Sequence, residues 1–595
     1  MQILLNMLFK HQLVLLLVIS SLVVGVSQNT YISNKIDKSL IENYSKVNTQ
    51  EYILLFRSKA TFGRNIKNWT KSQKSNYVFK TLKNHAEVTQ KPIISWLNQK
   101  NITYQSFYVA NAIKVTSQID VMMELASRDD VQYIIDNKPF YMLDYEESRP
   151  ISLRTGTPEW GLLNIKADSV WKMGIRGQNV TIAGQDTGYE WELSPIKNKY
   201  RGYINDSTAI HDFNWHDAIH INNPAIADTL LNPCGFSSRQ PCDDHNHGTH
   251  TMGTMVGQDE DNTIGVAPEA QWIACRNMDR GWGQPSTYME CFEWFLAPYD
   301  YEKEIYNPDL APHVINNSWY CSEGEGCNPS NFYIMETIVN NLKTAGIVVV
   351  ASAGNSGRNG CGSVSGPPAF FENSFSIGAT DINDTIGNFS SIGPVTVDGS
   401  FRLKPDVTAP GVRVRSIVRG GQYRTWNGTS MAGPHVAGVV ALMISANPRL
   451  AGQVDIIEDI IRETARPQKT ELDCDYFNDP LATANPVYGH GIVNAYEAVK
   501  KAIDFIPSHT EDKISQVSIY PNPTESHITV RLDDAHSTLK SISIYNLQGQ
   551  KLYQQNYIQA SVYEIIDVHS LPQGAYIIEV HTSSGNWINK FIKTE

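Results

Sequence analysis

Cysteine is missing from both ends of this chain: all eight cysteines fall between Cys234 and Cys474. Whatever holds the flanking regions together, it is not disulfides. Basic charge is short as well, with 49 Lys and Arg against 61 Asp and Glu and a formal net charge of -12. A nucleic-acid partner needs clustered Lys and Arg to meet phosphates, so that class is set aside. Beyond Val26 no apolar run is long enough to cross a bilayer, and no stable membrane span is expected in the mature chain. Internal repeats and low-complexity tracts are lacking too.

What is present begins with size. A chain of 595 residues is too long for one core, and about three or four domains are expected. Hydrophobic content of 41% with 18% charged residues is ordinary for globular protein. Lys10 and His11 precede an apolar run from Leu13 to Val26, broken by Ser20 and Ser21. Its length suits the h-region of a signal peptide over residues 1–27, with Gly25 and Ser27 placing cleavage near Ser27–Asn29. The competing reading is an uncleaved anchor. A secreted or cell-surface location follows, and there an even cysteine count favours disulfides. Cys234 with Cys242, and Cys321 with Cys327, could close small loops, and Cys275 with Cys291 a larger one. Eight cysteines allow 105 connectivities, so the pairing stays open.

Residues 50–140 read as a small α+β unit. Strands are expected at Tyr52–Phe56, Ser106–Tyr108, Ala112–Val115 and Val131–Ile135. Helices are expected over Tyr77–Leu97, interrupted at Pro92, and over Ile119–Arg128. Asp144 to Pro158 is polar and reads as a linker. Residues 155–502 alternate apolar strands with helical segments, the signature of a parallel α/β sheet flanked by helices. Its strand candidates are Val180–Gly184, Trp272–Arg276, His313–Asn316, Ile347–Ser352 and Phe375–Ala379. Residues 514–595 turn to short alternating strands such as Val517–Tyr520, His527–Leu532, Ser541–Tyr545 and Ala575–His581, a small β-sandwich.

Chemistry gathers in the middle. Asp186-Thr187-Gly188 ends the first strand of the α/β region, where sites of open parallel sheets collect. One Asp-Thr-Gly alone does not make an aspartic protease, which needs two carboxylates sharing a proton. Asp244-His245-Asn246-His247-Gly248-Thr249-His250 offers three histidines. They could bind zinc, but the glutamate base of H-E-x-x-H is absent. Read instead as a general base, His247 fits best, because Gly248 lets a substrate backbone pass beside it. His250, one turn on, reads as buried. Gly354-Asn355-Ser356-Gly357 is good turn sequence. Gly428-Thr429-Ser430-Met431-Ala432-Gly433-Pro434 puts a serine at a helix start, where a cap or an oxyanion would both be favoured. An α/β-hydrolase requires G-x-S-x-G and the order Ser, acid, His. Here the order is Asp, His, Ser.

In that order the motifs resemble those of the subtilisin-like serine proteases. Asp186-Thr187-Gly188, His247-Gly248-Thr249-His250, Ala353-Gly354-Asn355 and Gly428 to Gly438 carry the likeness over roughly residues 160–500, with Gly265-Val266-Ala267-Pro268 as a further marker. Ala274-Cys275-Arg276-Asn277-Met278 and Cys291-Phe292-Glu293-Trp294 look most like the bacillopeptidase F group.

The resemblance implies a secreted serine endopeptidase acting on polypeptides: Ser430 as nucleophile, His247 as base, Asp186 orienting the imidazole, and Asn355 in the oxyanion hole. It implies substrate contacts at Ser318, Trp319 and Gly354, although Trp319-Tyr320-Cys321 is bulky where many relatives carry Leu-Gly-Gly. No cofactor is required; structural calcium is common in the family, and no ligand set here matches one. Residues 50–140 resemble the inhibitory propeptide, with self-cleavage expected in 137–158. Residues 514–595 resemble the type A sorting domain of the type IX secretion system, on Ile519-Tyr520-Pro521-Asn522-Pro523 and Leu571-Pro572-Gln573-Gly574-Ala575-Tyr576. The propeptide and the secretion machinery are thus implied partners. The rival reading is a dead protease scaffold serving as a surface binding protein.

Overall fold

The structure, a computed structural model, describes residues 34–594. Excepted are 45–46, 64–65, 142–145, 148–156, 207, 224–225, 227–230, 261, 322–326, 329–331, 473, 475–482, 507–516, 533–537, 558–560, 562 and 584–585. The expected signal peptide and most of the expected processing window lie outside the described residues. The chain divides into two compact units, Met1–Ile506 and Pro507–Glu595.

The first unit opens with β1 (Gln50–Phe56), α1 (Lys71–Gln99), β2 (Tyr104–Phe107), β3 (Ala112–Ser117), α2 (Ile119–Ala126) and β4 (Val131–Asp136). The strands form an antiparallel sheet in the order β2-β3-β1-β4. α1 starts on a reciprocal cap, Thr70 receiving the Gln73 amide and Gln73 receiving that of Thr70. It runs unbroken through Pro92, which corrects the expected interruption. The carbonyl that Pro92 leaves without a helical donor belongs to Val88, an exposed position where water can serve it.

Two strands of two residues each follow, β5 (Phe140–Tyr141) and β6 (Glu146–Glu147), the second of them in what the sequence suggested was a linker. The central region then contains β7 (Thr181–Asp186), β8 (Trp215–Asp217), α3 (His247–Val256), β9 (Gln271–Arg276), β10 (Trp282–Gly283) and α4 (Pro285–Leu296). Next come β11 (Val314–Asn317), α5 (Phe332–Thr344), β12 (Val348–Ser352), β13 (Phe375–Thr380), β14 (Val407–Pro410), β15 (Gln422–Asn427) and α6 (Thr429–Ala446). Seven of these strands make one parallel sheet, β8-β9-β7-β11-β12-β13-β14. Sequence reading missed β8, which is too short to show a period, and β14, which ends on a proline.

Alternate residues of the sheet enter different cores, as the two-residue period of a strand requires. Val314, Val348 and Val350 join α3 and α6 on one face. Ile315, Val349 and Ala351 join α4 and α5 on the other, and Ile53, Leu55, Val78 and Phe107 of the N-terminal region belong to that same core. Polar groups reinforce this docking. Lys71 Nζ donates to the Ala311 carbonyl (2.5 Å) and Lys74 Nζ to that of Gly452 (2.7 Å). Four disulfides, Cys234–Cys242, Cys275–Cys291, Cys321–Cys327 and Cys361–Cys474, lie in the central region. They include all three pairs that spacing suggested.

The second unit is a β-sandwich. Val517–Tyr520, His527–Leu532 and Tyr563–Asp567 form one antiparallel sheet. Lys551–Asn556, Leu539–Tyr545, Gly574–Thr582 and Asn586–Lys593 form the other. Ile528, Val530, Ile542, Ile544, Ile578 and Phe591 fill the space between them.

Candidate active site

β7 carries Asp186 to the carboxyl edge of the parallel sheet, and α3 begins at His247 directly opposite. His247 Nδ1 lies 2.7 Å from Asp186 Oδ1 and 2.9 Å from Oδ2, both side chains fully buried. Facing a carboxylate, Nδ1 carries the proton, which makes Nε2 the basic nitrogen. The Thr187 amide donates to Asp186 Oδ1 at 2.8 Å, and Thr187 Oγ1 accepts from the Gly248 amide at 3.0 Å. Gly248 serves this approach. A Cβ there would overlap the Gly188 carbonyl oxygen and press on Asp186.

His250 is fully buried and stacks on Trp426, ring centroids 4.4 Å apart and nearly parallel. Burial, with the neighbouring His247 ring, pushes its imidazole down to about 3. It is therefore neutral, and its Nε2 lies 3.2 Å from the Arg424 carbonyl, a buried histidine as the sequence suggested. The same indole stacks on His247 at 6.1 Å. Trp426 stands on β15, the strand that runs into Gly428 and the serine helix, and so ties the histidine helix to the serine motif.

Ser430 is the second residue of α6. Pro434 four residues on has no N–H for the Ser430 carbonyl, the acceptor that a helix would normally satisfy from that position. Ser318, just past β11, replaces it: Ser318 Oγ donates to the Ser430 carbonyl at 2.8 Å. In return Ser430 Oγ donates to the Ser318 carbonyl at 2.9 Å. The reciprocal pair fixes the nucleophile candidate against the strand that sequence marked for substrate. Asn355, past the end of β12, accepts at Oδ1 from Thr429 N and Thr429 Oγ1, each at 2.9 Å. Gly354 before it adopts φ +100°, a turn that a side chain would strain. The structure thus joins Asp186 to His247, Ser430 to Ser318, and Asn355 to the residue preceding Ser430. The Trp319 side chain packs inward. Its ring lies flat on Tyr288, centroids 4.0 Å apart, and is almost fully buried.

Sequence reasoning missed two short strands next to these motifs. β5 pairs antiparallel with β10, Tyr141 opposite Trp282 and Phe140 opposite Gly283. β6 pairs with β15, Glu147 opposite Trp426 and Glu146 opposite Asn427, three residues before Ser430. Strands of two residues carry no periodicity, so nothing in the sequence announced them. Also passed over were His216, His220 and Glu290, which converge 70 residues apart; an H-x-x-x-H spacing was the available hint.

Two family models match this chain. Residues 177–491 match the subtilase family, and residues 518–594 match the secretion system C-terminal sorting domain. Bacillopeptidase F of Bacillus subtilis is 35% identical over 507 residues, 80% of this chain and 33% of its own length. The chain therefore spans about a third of that relative. Subtilisin NAT of Bacillus subtilis subsp. natto is 27% identical over 399 residues, covering 67% of this chain and 82% of the relative. M-protease of Shouchella clausii is 28% identical over 359 residues, 60% and 73%. The sorting domain makes this a secreted or cell-surface protein. The family match takes in more than half of the chain and encloses every residue of the candidate site, and on that ground the protein belongs to the subtilase family of peptidases.

Proposed function

We propose that the protein is a serine endopeptidase that cleaves polypeptides through an acyl-enzyme and is made as a self-processing zymogen. The observation that carries this reading is the fully buried Asp186–His247 hydrogen bond, with His247 stacked on Trp426 four residues before Ser430 at the start of α6. For attack, the Ser430 hydroxyl turns from the Ser318 carbonyl to His247 Nε2, which takes its proton as Oγ adds to the scissile carbonyl. Asp186 steadies the imidazolium. His247 then returns the proton to the leaving amine, and water repeats the sequence on the ester. With Oδ1 held by Thr429, Asn355 offers its Nδ2 to the oxyanion beside the Ser430 amide at the positive end of α6. No step needs a cofactor. Substrate pairs by its backbone with Ser318–Trp319, just past the end of β11, and with β10, while Gly354 borders the cleft, so backbone pairing contributes more than side-chain choice.

The N-terminal region acts as intramolecular inhibitor. Supporting this, the chain that leaves it pairs with β10 at Phe140–Tyr141, where Tyr141 Oη lies 3.2 Å from His245 Nε2, and with β15 at Glu146–Glu147, just before the serine motif. Glu293 of α4 holds the region by its own backbone, accepting from Tyr108 N (2.5 Å) and Val109 N (2.9 Å). Asn341 of α5 donates to the Val109 carbonyl at 2.8 Å. The sorting domain hands the chain to the type IX export machinery. No observation favours an inactive scaffold.

Ser430→Ala tests the proposal. Removing the nucleophile should lower casein hydrolysis by about 10⁶, the size of loss that the equivalent change brings in subtilisin. It should also leave the N-terminal region uncleaved on gels. A mutant that still matures and digests casein would rule this mechanism out.

A further inference from the structure

Among the described residues, the one place where three ligand-type side chains converge outside the candidate active site is His216, His220 and Glu290. The geometry points to a zinc-type divalent metal site here, with His216 Nε2, His220 Nε2 and Glu290 Oε1 as ligands.

The ligands come from three separate elements. His216 stands on edge strand β8, His220 on the loop after it, and Glu290 on α4. Both imidazole nitrogens lie 2.8 Å from the same carboxylate oxygen, Glu290 Oε1, and all three ligand atoms fall within 4.8 Å of one another. Tetrahedral ligands at metal distances of about 2.0–2.1 Å sit about 3.3 Å apart, so a small outward shift of Oε1 and an inward swing of loop-borne His220 admit the ion. Glu290 is almost completely buried and His216 mostly so. A carboxylate is costly to bury there unless it is paired, and a metal pairs it.

The surroundings match what metal ligands require. A ligating histidine is oriented through its other nitrogen, and a ligating carboxylate through its other oxygen. His220 Nδ1 lies 2.8 Å from Ser237 Oγ. Glu290 Oε2 accepts from Gln105 Nε2 at 2.6 Å, leaving Oε1 for the ion. The His216 ring is clamped between Trp294, stacked at 5.9 Å, and the edge of Tyr299 at 5.2 Å. Both histidines line a cavity of about 160 Å³, room for a water as fourth ligand. Lys303 Nζ, 3.7 Å from Glu290 Oε1, opposes a cation, but its side chain is 45% exposed and can extend into solvent. Two imidazoles and one carboxylate suit zinc, not calcium, which takes an all-oxygen shell. Because Gln105 belongs to β2 of the N-terminal region, the site also couples the metal to docking of that region.

The test uses the full chain carrying Ser430→Ala, which prevents self-digestion, stripped with a chelator and titrated calorimetrically with Zn²⁺. Co²⁺ serves as a visible-absorption probe. The expected result is one tight equivalent, with the intense bands of tetrahedral Co²⁺. His220→Ala should weaken binding by at least about tenfold and abolish the Co²⁺ bands, since even outer-shell losses reach that size. His216→Ala should do the same but can fail to fold, its ring being clamped; His220→Ala, on a loop, keeps the test decisive. Absence of a saturable site, or an affinity and spectrum unchanged in a folded His220→Ala chain, overturns the proposal.

Discussion

The two regions that flank the central sheet are both cysteine-free and both poor in chemistry, yet they use their residues differently. The N-terminal region directs polar groups and apolar side chains alike into its neighbour: Ile53 and Leu55 share a core with α4 and α5, and Lys71, Lys74 and Gln105 hydrogen-bond across the contact. The C-terminal sandwich closes its core on itself. The difference teaches how each is used. A region whose buried surface is completed by a partner depends on that partner for stability and can report on its site. A region with a complete core can be an address label that is read elsewhere.

The largest effect should come from making the same cut in both. Ile53→Ala and Ile544→Ala each empty a fully buried position and should cost about 2–5 kcal/mol. In a calorimetric scan of the Ser430→Ala chain, Ile53→Ala should lower the transition of the larger unit. Ile544→Ala should lower that of the sandwich alone. A shared shift from either change would dissolve the contrast.

How much of this was legible in the sequence divides along similar lines. Asp186, His247, Ser430 and Asn355 could be placed because each sits in a short motif whose chemistry constrains its neighbours. The central strands could be placed because burial on both faces makes continuous apolar runs. What stayed hidden depends on partners far away in the chain. The β5 and β6 pairings, the His216–His220–Glu290 convergence and the Cys361–Cys474 bond are set by folding, not by local pattern. Pro92 misled for a different reason: a helix can continue through proline where the carbonyl it strands finds another donor, water at exposed Val88 or a hydroxyl as at Ser430.

A pH profile sharpens the comparison at its most specialised contact. Burial pushes the Glu293 carboxyl up to about 8, against the pull of the Val109 and Tyr108 amides. Once those amides leave, the carboxyl meets water and returns towards its ordinary value of 4.5. The docked state therefore holds the extra proton. Docking is strongest below 4.5 and weakens as pH climbs towards 8, by up to about tenfold per pH unit for one proton. Lys71, pushed down to about 7 chiefly by burial, works in the opposite sense above that pH. The comparison therefore belongs between about pH 5 and 7. Inhibition of the processed enzyme by added N-terminal region should weaken across that window. Glu293→Gln should flatten the profile, and an unchanged slope would move the proton to another group.

The smallest effect tests whether buried or exposed polar contacts hold the N-terminal region. Asp309 accepts from Ser72 Oγ at 2.5 Å and Asn76 Nδ2 at 2.7 Å, all at the exposed rim of the contact. Water replaces such bonds when they break, so Asp309→Ala should cost less than about 1 kcal/mol. Next to it, Lys71 reaches the Ala311 carbonyl in a buried setting. Its loss leaves that acceptor unsatisfied, a penalty of about 1–3 kcal/mol, so Lys71→Ala should exceed Asp309→Ala in the same melting assay. The reverse ranking would mean that the rim, not the shared core and its buried polar groups, fixes the region in place. The N-terminal region would then be a surface attachment, much closer in kind to a self-contained sandwich than its packing implies.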